Sequence, residues 1–421
     1  MRGLDGIMVR RVLMIAYHYP PLQGGSGILR TQGFVRHLPR HGWQPLLLCP
    51  SPAAYGQKGE LDHDNYTIVH RSLALDAGRH LAFRGRYPRW LALPDRWSSW
   101  WLSAVPAGLR MIKQYRPDAI WSTYPIATAH LIALTLQKLS GLPWIADQRD
   151  PMLDDSDSAA PYPADPRLYR LHGWIEQRIA ARSSAVVCTT PGAVSMHRRR
   201  LPQRHCVLIE NGHDEEDYQP ATTHEDSTGE RFVLLHSGVI YPSERDPRPL
   251  FAALAMLHQQ GMLAPRNFQL LLRATGHDAW LATLLVQYGI TGLVTLAPLQ
   301  THAAALQEMQ AADGLLLLQA ANCNQQIPAK LYEYLRCRRP VLALTDAAGD
   351  SAARLRACGI GTIGQLDSAS DCARALMHFI ALARQGQAPL ASPESIALQS
   401  RSARAGALAT LLHEVCQRSP S

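Results

Sequence analysis

Lys330 and Glu333 stand three residues apart in the stretch QQIPAKLYEYLRCRRP, positions 325–340. On a helix that spacing puts both side chains on one face. Pro328 marks a helix start, where the N–H it lacks would be unpaired anyway, and Pro340 marks a stop before the apolar run VLALTD. A helix N-terminus carries partial positive charge and free N–H groups that suit a phosphate. Lys330 adds a full positive charge in that first turn. One turn on, the Glu333 carboxylate can accept two hydrogen bonds from neighbouring hydroxyls, such as those of a ribose. A cation for phosphate followed by an anion for hydroxyls is a layout for a nucleotide. The plain alternative is a solvated surface ion pair.

A second group follows the apolar run PWIAD: Asp147, Gln148, Arg149, Asp150, Pro151. Ligands of open α/β sheets bind off the carboxyl ends of strands, which places Asp147, Arg149 and Asp150 for chemistry. The alternative is a local ion pair that orders the loop. A third group is the loop YPPLQGGSG, where Gly24, Gly25 and Gly27 let a backbone approach a ligand closely. It lacks the G-x-G-x-x-G pattern, so a nicotinamide dinucleotide is not expected. Asp155-Ser156-Asp157 is the one Asp-x-Asp near a strand end. It falls in a polar loop, and no metal site is expected there.

The elements that must position these residues alternate. The run at 12–17 is followed by the glycine loop, a helical pattern ended by Gly42, and the run WQPLLLC at 43–49. Such run-like strands suit a parallel sheet covered on both faces. Further strands are expected at 66–70, 119–123, 143–147, 185–190 and 207–212. Residues 213–230 are polar, acidic and nearly devoid of apolar side chains, so they read as a linker. The scheme then restarts with RFVLLHSG, a loop and a helix, and continues with strands at 268–275, 293–297 and 314–320 before the stretch at 325–340. Residues 395–416 read as one closing helix.

Bulk properties bound the partners. The formal net charge of +8 favours an anionic partner. The basic residues are spread out and form no recognised DNA- or RNA-binding motif, so nucleic acid is not expected. Eight Cys carry no Cys-x-x-Cys spacing, which predicts buried free thiols and no zinc site. No apolar run reaches the length of a transmembrane helix, and a cytoplasmic location follows as the expectation. The segment 79–102 interrupts the pattern with five Arg and four of the nine Trp. It reads either as a peripheral contact with the inner face of a membrane or as a packed excursion with snorkelling Arg.

Five elements, AYHYPPLQGGSGILR, PWIADQRDP, IENGHDEEDY, HSGVIYPSERDPRPL and IPAKLYEYLRCRRPVLAL, occur in an order and spacing that resembles glycosyltransferase family 4, group-1-type glycosyltransferases of the GT-B architecture. The likeness spans nearly the whole chain. It implies an α/β fold of two Rossmann-like domains facing each other across a cleft: 1–212 for the acceptor, 231–394 for a nucleotide-sugar donor, and 395–421 as a helix crossing back. It implies a retaining sugar transfer of the hexosyltransferase type, with no cofactor and no metal, to a sugar or lipid-linked acceptor in cell-surface glycan biosynthesis. Carried over residue by residue, Glu333 matches the ribose-binding Glu, Lys330 lies near the diphosphate, and Arg245 takes the basic position after the glycine loop at Gly238, with Arg248 as the alternative. Gly24 and Gly25 match the first-domain loop facing donor and acceptor. The sequence departs from the pattern twice. Gln325 stands where the paired-Glu motif has its first Glu, and Gln148-Arg149 stand where many members carry a His. Asp150, then Asp147, are the expected sugar or acceptor contacts. The same fold and nucleotide would also suit a nucleotide-sugar epimerase or a non-catalytic nucleotide- or glycan-binding relative.

Overall fold

A computed structural model describes residues 9–22, 26–56, 59, 67–154, 162–218 and 231–418. The chain divides into two compact units, one of Met1–Asn211 with Arg401–Ser421 and one of Gly212–Ser400.

The first unit holds a seven-stranded parallel sheet in the order β3-β2-β1-β4-β5-β6-β7. Its strands are β1 (Arg10–Ile15), β2 (Trp43–Pro50), β3 (Ile68–Ser72), β4 (Ala119–Thr123), β5 (Trp144–Gln148), β6 (Ala185–Cys188) and β7 (Cys206–Leu208). Along β1, Leu13 and Ile15 join one apolar cluster while Val12 and Met14 join another. Both faces are therefore buried, which is why the strands read as runs rather than alternations. The helix Arg401–Arg418 closes one face, packing Leu408, Leu411, Leu412 and Val415 with Phe34, Val35 and Trp43. Trp43 Nε1 donates to His413 Nδ1 at 3.0 Å. A Cβ on Gly33 would lie 2.6 Å from Arg401 Cδ, so only glycine admits this approach.

The second unit repeats the plan with six parallel strands in the order β10-β9-β8-β11-β12-β13. These are β8 (Phe232–Ser237), β9 (Phe268–Arg273), β10 (Val294–Ala297), β11 (Gly314–Leu318), β12 (Val341–Leu344) and β13 (Ile363–Gly364). Leu234, Leu316 and Leu318 face one cluster, Leu235, Leu315 and Leu317 the other. Both sheets wind outward in two directions from a central strand, β1 or β8. Such sheets bind ligands where the winding reverses, beyond the carboxyl ends of β1/β4 and β8/β11.

Three expectations change. The strand expected at 207–212 stops at Leu208, because the carbonyls of Ile209 and Glu210 accept from the Arg30 guanidinium at 2.9 Å each. The single closing helix is two, Pro393–Leu398 and Arg401–Arg418. The break falls where the His213 N–H donates to the Gln399 carbonyl at 3.2 Å and His213 bridges Ser400. The chain beyond β12 also adds the helices Asp350–Ala357 and Ala369–Arg384. The latter buries Cys372, Leu376, Phe379 and Ile380 at helical spacing, a stripe diluted in the sequence by alanine. Of the expected linker 213–230, Glu215–Asp217 is a short 3-10 turn, and 219–230 lie outside the described residues. No described helix is long and apolar enough to cross a membrane.

Candidate functional site

The helix Lys330–Cys337 begins with Lys330 itself in its first turn. Leu331, Tyr332, Tyr334 and Leu335 anchor it in the core. Lys330 and Tyr334 lie one turn apart and grip the same residue at the carboxyl end of β8. The Lys330 amine donates to the Ser237 carbonyl, and the Ser237 N–H donates to Tyr334 Oη at 3.0 Å. The chain then turns at Gly238, whose φ of +120° is a conformation that disfavours any side chain. A Cβ there would also collide with the Lys330 amine. Gly238 is thus required both for the turn and for the amine's position.

The loop beyond Gly238 delivers Arg245. Its guanidinium donates to the Val239 carbonyl at 2.5 Å and lies over the Tyr241 ring, 5.4 Å from the centroid. Arg248 is instead bound to Asp246 at the surface. This geometry favours Arg245 over Arg248 as the basic group of the turn. Burial pushes the Lys330 amine down to about 7, the Arg245 charge adds to that shift, and Glu333 opposes it. The three groups therefore share one electrostatic environment. Glu333 is half-buried, and among the described residues its carboxylate receives no hydrogen bond. Gln325 lies half-buried in the loop between β11 and the helix. That loop is ordered by buried Gln319, whose amide donates to the carbonyls of Cys323 and Gln326 at 2.7 and 2.9 Å.

Beneath the turn lies His236, fully buried, with Nδ1 2.9 Å from the Leu316 carbonyl. Burial and the charges of Lys330 and Arg245 hold it well below the usual histidine range, hence neutral. The outer side of the helix is tied to the start of the unit. Tyr218 Oη donates to the Glu333 carbonyl at 3.3 Å, and Arg336 pairs with Glu215 at 2.7 Å.

In the first unit the end of β5 separates the sequence's candidates. Asp147 is fully buried, and its two oxygens accept from Arg30 Nε and Nη2 at 2.9 and 2.8 Å and from Thr123 Oγ1 at 3.0 Å. It ties the helix Ser26–His37 to β5. Arg149 and Asp150 form the local pair, at 2.7 Å, with Arg149 largely buried and Asp150 half-exposed. Beside them is His18, just past the end of β1. A Cβ on Gly27 would collide with the Arg149 guanidinium and lie 3.0 Å from His18 Nδ1. Burial, with the Arg149 charge and against that of Asp150, pushes His18 down to about 4, so it is neutral at pH 7. Gly24, Gly25 and the Asp155-Ser156-Asp157 motif lie outside the described residues. Among the described residues no group of three or more His, Cys, Asp or Glu side chains could hold a metal ion.

Residues 26–212 match the family model of a glycosyl transferase 4-like domain. The first unit thus carries a glycosyl transferase 4-like domain, and the chain as a whole has the GT-B fold. Solved structures similar to it include the sucrose-phosphate synthase of Thermosynechococcus elongatus, with 17% identity and a TM-score of 0.73, covering 97% of this chain and 100% of that one. HepE of Anabaena in complex with UDP has 14% identity and a TM-score of 0.62, covering 97% and 98%. A trehalose-phosphate synthase (UDP-forming) of Burkholderia xenovorans in complex with glucose-6-phosphate has 9% identity and a TM-score of 0.67, covering 97% and 100%. No curated protein matches the sequence.

Within this GT-B fold, the structure brings together Gly238, Arg245, Lys330 and Glu333 in the second unit, and Arg149 with Asp150 in the first. It assigns Asp147 to a buried ion pair. Three residues escape the sequence reading: Arg30, His18 and His236. Arg30 and His18 flank the glycine loop in the quoted motif AYHYPPLQGGSGILR, and His236 stands in HSG. Their proximity to the site comes from contacts over long sequence separations, which no spacing rule carries.

Proposed function

We propose that this protein is a glycosyltransferase that moves a sugar, with retention of configuration, from a nucleotide-sugar donor to a lipid-linked or polysaccharide acceptor of a cell-surface glycan. The observation that carries the proposal is the cluster of Lys330, Arg245 and Glu333 around Gly238, where the second sheet reverses its winding. Breaking a glycosyl–diphosphate bond builds negative charge on the leaving phosphate. Fixed cations stabilise that charge, and losing one such group typically costs about 3 kcal/mol of barrier. Lys330 is suited to this, because an arriving diphosphate restores the charge that burial and Arg245 weaken. Glu333, with no donor of its own, offers both oxygens to ribose hydroxyls. The Gln325 amide can hydrogen-bond a sugar hydroxyl, but being neutral it leaves charge stabilisation to the cations. His18, Arg149 and Asp150 serve as the acceptor-side contacts, while Asp147 is a positioning residue acting through Arg30. One of the similar proteins supports a nucleotide-sugar donor: HepE has been solved in complex with UDP and with UDP-glucose. Charge neutralisation by Lys330 and Arg245 takes the place of a metal ion in this proposal.

The test is incubation of the full chain with a panel of UDP-, GDP-, ADP- and dTDP-sugars, with and without lipid-linked and soluble saccharide acceptors. A glycosylated acceptor with the donor's anomeric configuration is expected, unchanged by a chelator. No binding, hydrolysis or transfer with any donor would sink the proposal. Epimerised donor formed without acceptor would favour the epimerase, and tight donor binding without turnover a binding protein. Loss of turnover on chelation would contradict the metal-free mechanism.

A further inference from the structure

The segment 79–102 inverts the usual design of a surface excursion. Its polar groups are consumed at its base. Asp76 takes a forked ion pair from Arg96, with contacts of 2.8 to 3.0 Å. The Asp95 carboxylate accepts from the N–H and hydroxyl of Thr128 at 2.8 and 2.9 Å. The Ser99 hydroxyl both accepts from the Leu75 N–H and donates to its carbonyl, at 2.9 Å. The tip, in contrast, presents large apolar side chains to water. Phe83 is 78% exposed and Trp90 is 69% exposed. Phe83 and Arg86 pair across a tight turn at Arg84 and Gly85, both of which have positive φ. A concavity of about 650 Å³ is lined by Phe83, Arg84, Arg86, Tyr87 and Pro88. The side chains of Arg84, Arg86 and Arg89 are exposed and donate no hydrogen bond among the described residues. The one carboxylate of the segment, Asp95, is committed to Thr128, so no acid on it answers these charges.

We propose that this tip docks on a bilayer bearing anionic lipids, with Phe83 and Trp90 entering the interface and Arg84, Arg86 and Arg89 meeting headgroup phosphates. Arg84 lies over the Phe83 ring, 5.5 Å from its centroid, and exposed aromatics among guanidinium groups with no carboxylate partner among the described residues match such a surface in both polarity and charge. On a solvated protein surface Phe83 and Trp90 stay in water, and the three charges have no carboxylate partner among the described residues. The proposal rests on the transfer proposed above for its purpose, since docking would hold the enzyme where lipid-linked acceptors are. Its physics is independent of that reading.

The experiment is co-sedimentation of the full chain with vesicles of phosphatidylcholine alone or with about one-third phosphatidylglycerol, at low and high salt. Pelleting with anionic vesicles, weakened by salt, is expected. Arg84→Gln and Arg86→Gln should each weaken it about fivefold. The pair Phe83→Ser with Trp90→Ser should weaken it at least about tenfold at both salt levels. These residues are exposed, and unchanged circular dichroism and thermal midpoint confirm folding. Absent pelleting with anionic vesicles, or equal pelleting of F83S/W90S, overturns the proposal. So does self-association that F83S/W90S abolishes without any vesicle binding. Nucleotide-sugar binding measured in lipid-free buffer reports separately on the transfer itself.

Discussion

Lys330 is the residue whose chemistry is most sharply defined by its surroundings. Its amine titrates at about 7 because burial and Arg245 disfavour the ammonium, with Glu333 in opposition. An anion bound beside it reverses the balance and raises the value toward an ordinary lysine. Binding a nucleotide sugar at pH 8 should therefore take up about one proton, falling toward none at pH 6, where the free amine is already charged. Calorimetry in buffers of different ionisation enthalpy measures this uptake directly. Lys330→Met should abolish the uptake, and uptake that persists in that variant would remove Lys330 from the diphosphate site. The spacing of Lys330 and Glu333 was readable from the sequence, and so was the helix that carries them. The low proton affinity was not, because it depends on burial in the folded unit and on Arg245, 85 positions away.

At the scale of elements, the Arg30–Asp147 pair joins the helix Ser26–His37 to β5, and through the carbonyls of Ile209 and Glu210 to the end of β7. The sequence placed Asp147 correctly at a strand end but could not show which neighbour it faces. Alternation within β5 turns Asp147 inward, and Arg30 arrives from 117 residues away. Removing one partner of such a buried pair leaves an uncompensated charge and costs about 3–5 kcal/mol. Asp147→Ala should show this loss in urea unfolding, whereas the double variant Arg30→Met with Asp147→Leu should lose much less. Full stability of D147A with abolished turnover would instead mark Asp147 as a group acting on the substrate. The helix that follows the glycine-rich stretch was legible as an element. That His18 and Arg149 converge on Gly27 was not, since β1 and β5 become neighbours of β4 only in the folded sheet.

For the whole molecule, the doubled α/β plan was legible because each strand is an apolar run and each helix is bounded by Gly, Pro or a capping residue. Among the boundaries that were not are the end of β7 and the break before Arg401, both fixed by long-range hydrogen bonds to Arg30 and His213. The molecule also carries several histidines buried in neutral form. Burial pushes His130 to about 3 and His197 to about 4, as it does His18. Their unfolded values lie near 6.5, so between that value and the folded one the unfolded chain binds more protons. Stability is then fully present above about pH 6.5 and falls with acid, by about 1.4 kcal/mol per pH unit for each such group. Thermal midpoints from pH 7 to 4.5 should decline steeply. His130→Gln, which removes one group, should make the decline shallower, and an unchanged slope would show that His130 is protonated in the fold.

The central claim is that the helix starting at Lys330 holds a nucleotide-sugar donor, with Glu333 as the hydroxyl ligand. Calorimetric titration of the full chain and of Glu333→Ala with the best-binding donor tests it most directly. Losing two charge-assisted hydrogen bonds should weaken binding by at least about tenfold, with the thermal midpoint unchanged. Equal affinity in the two proteins, or the absence of binding by any nucleotide sugar, would contradict it.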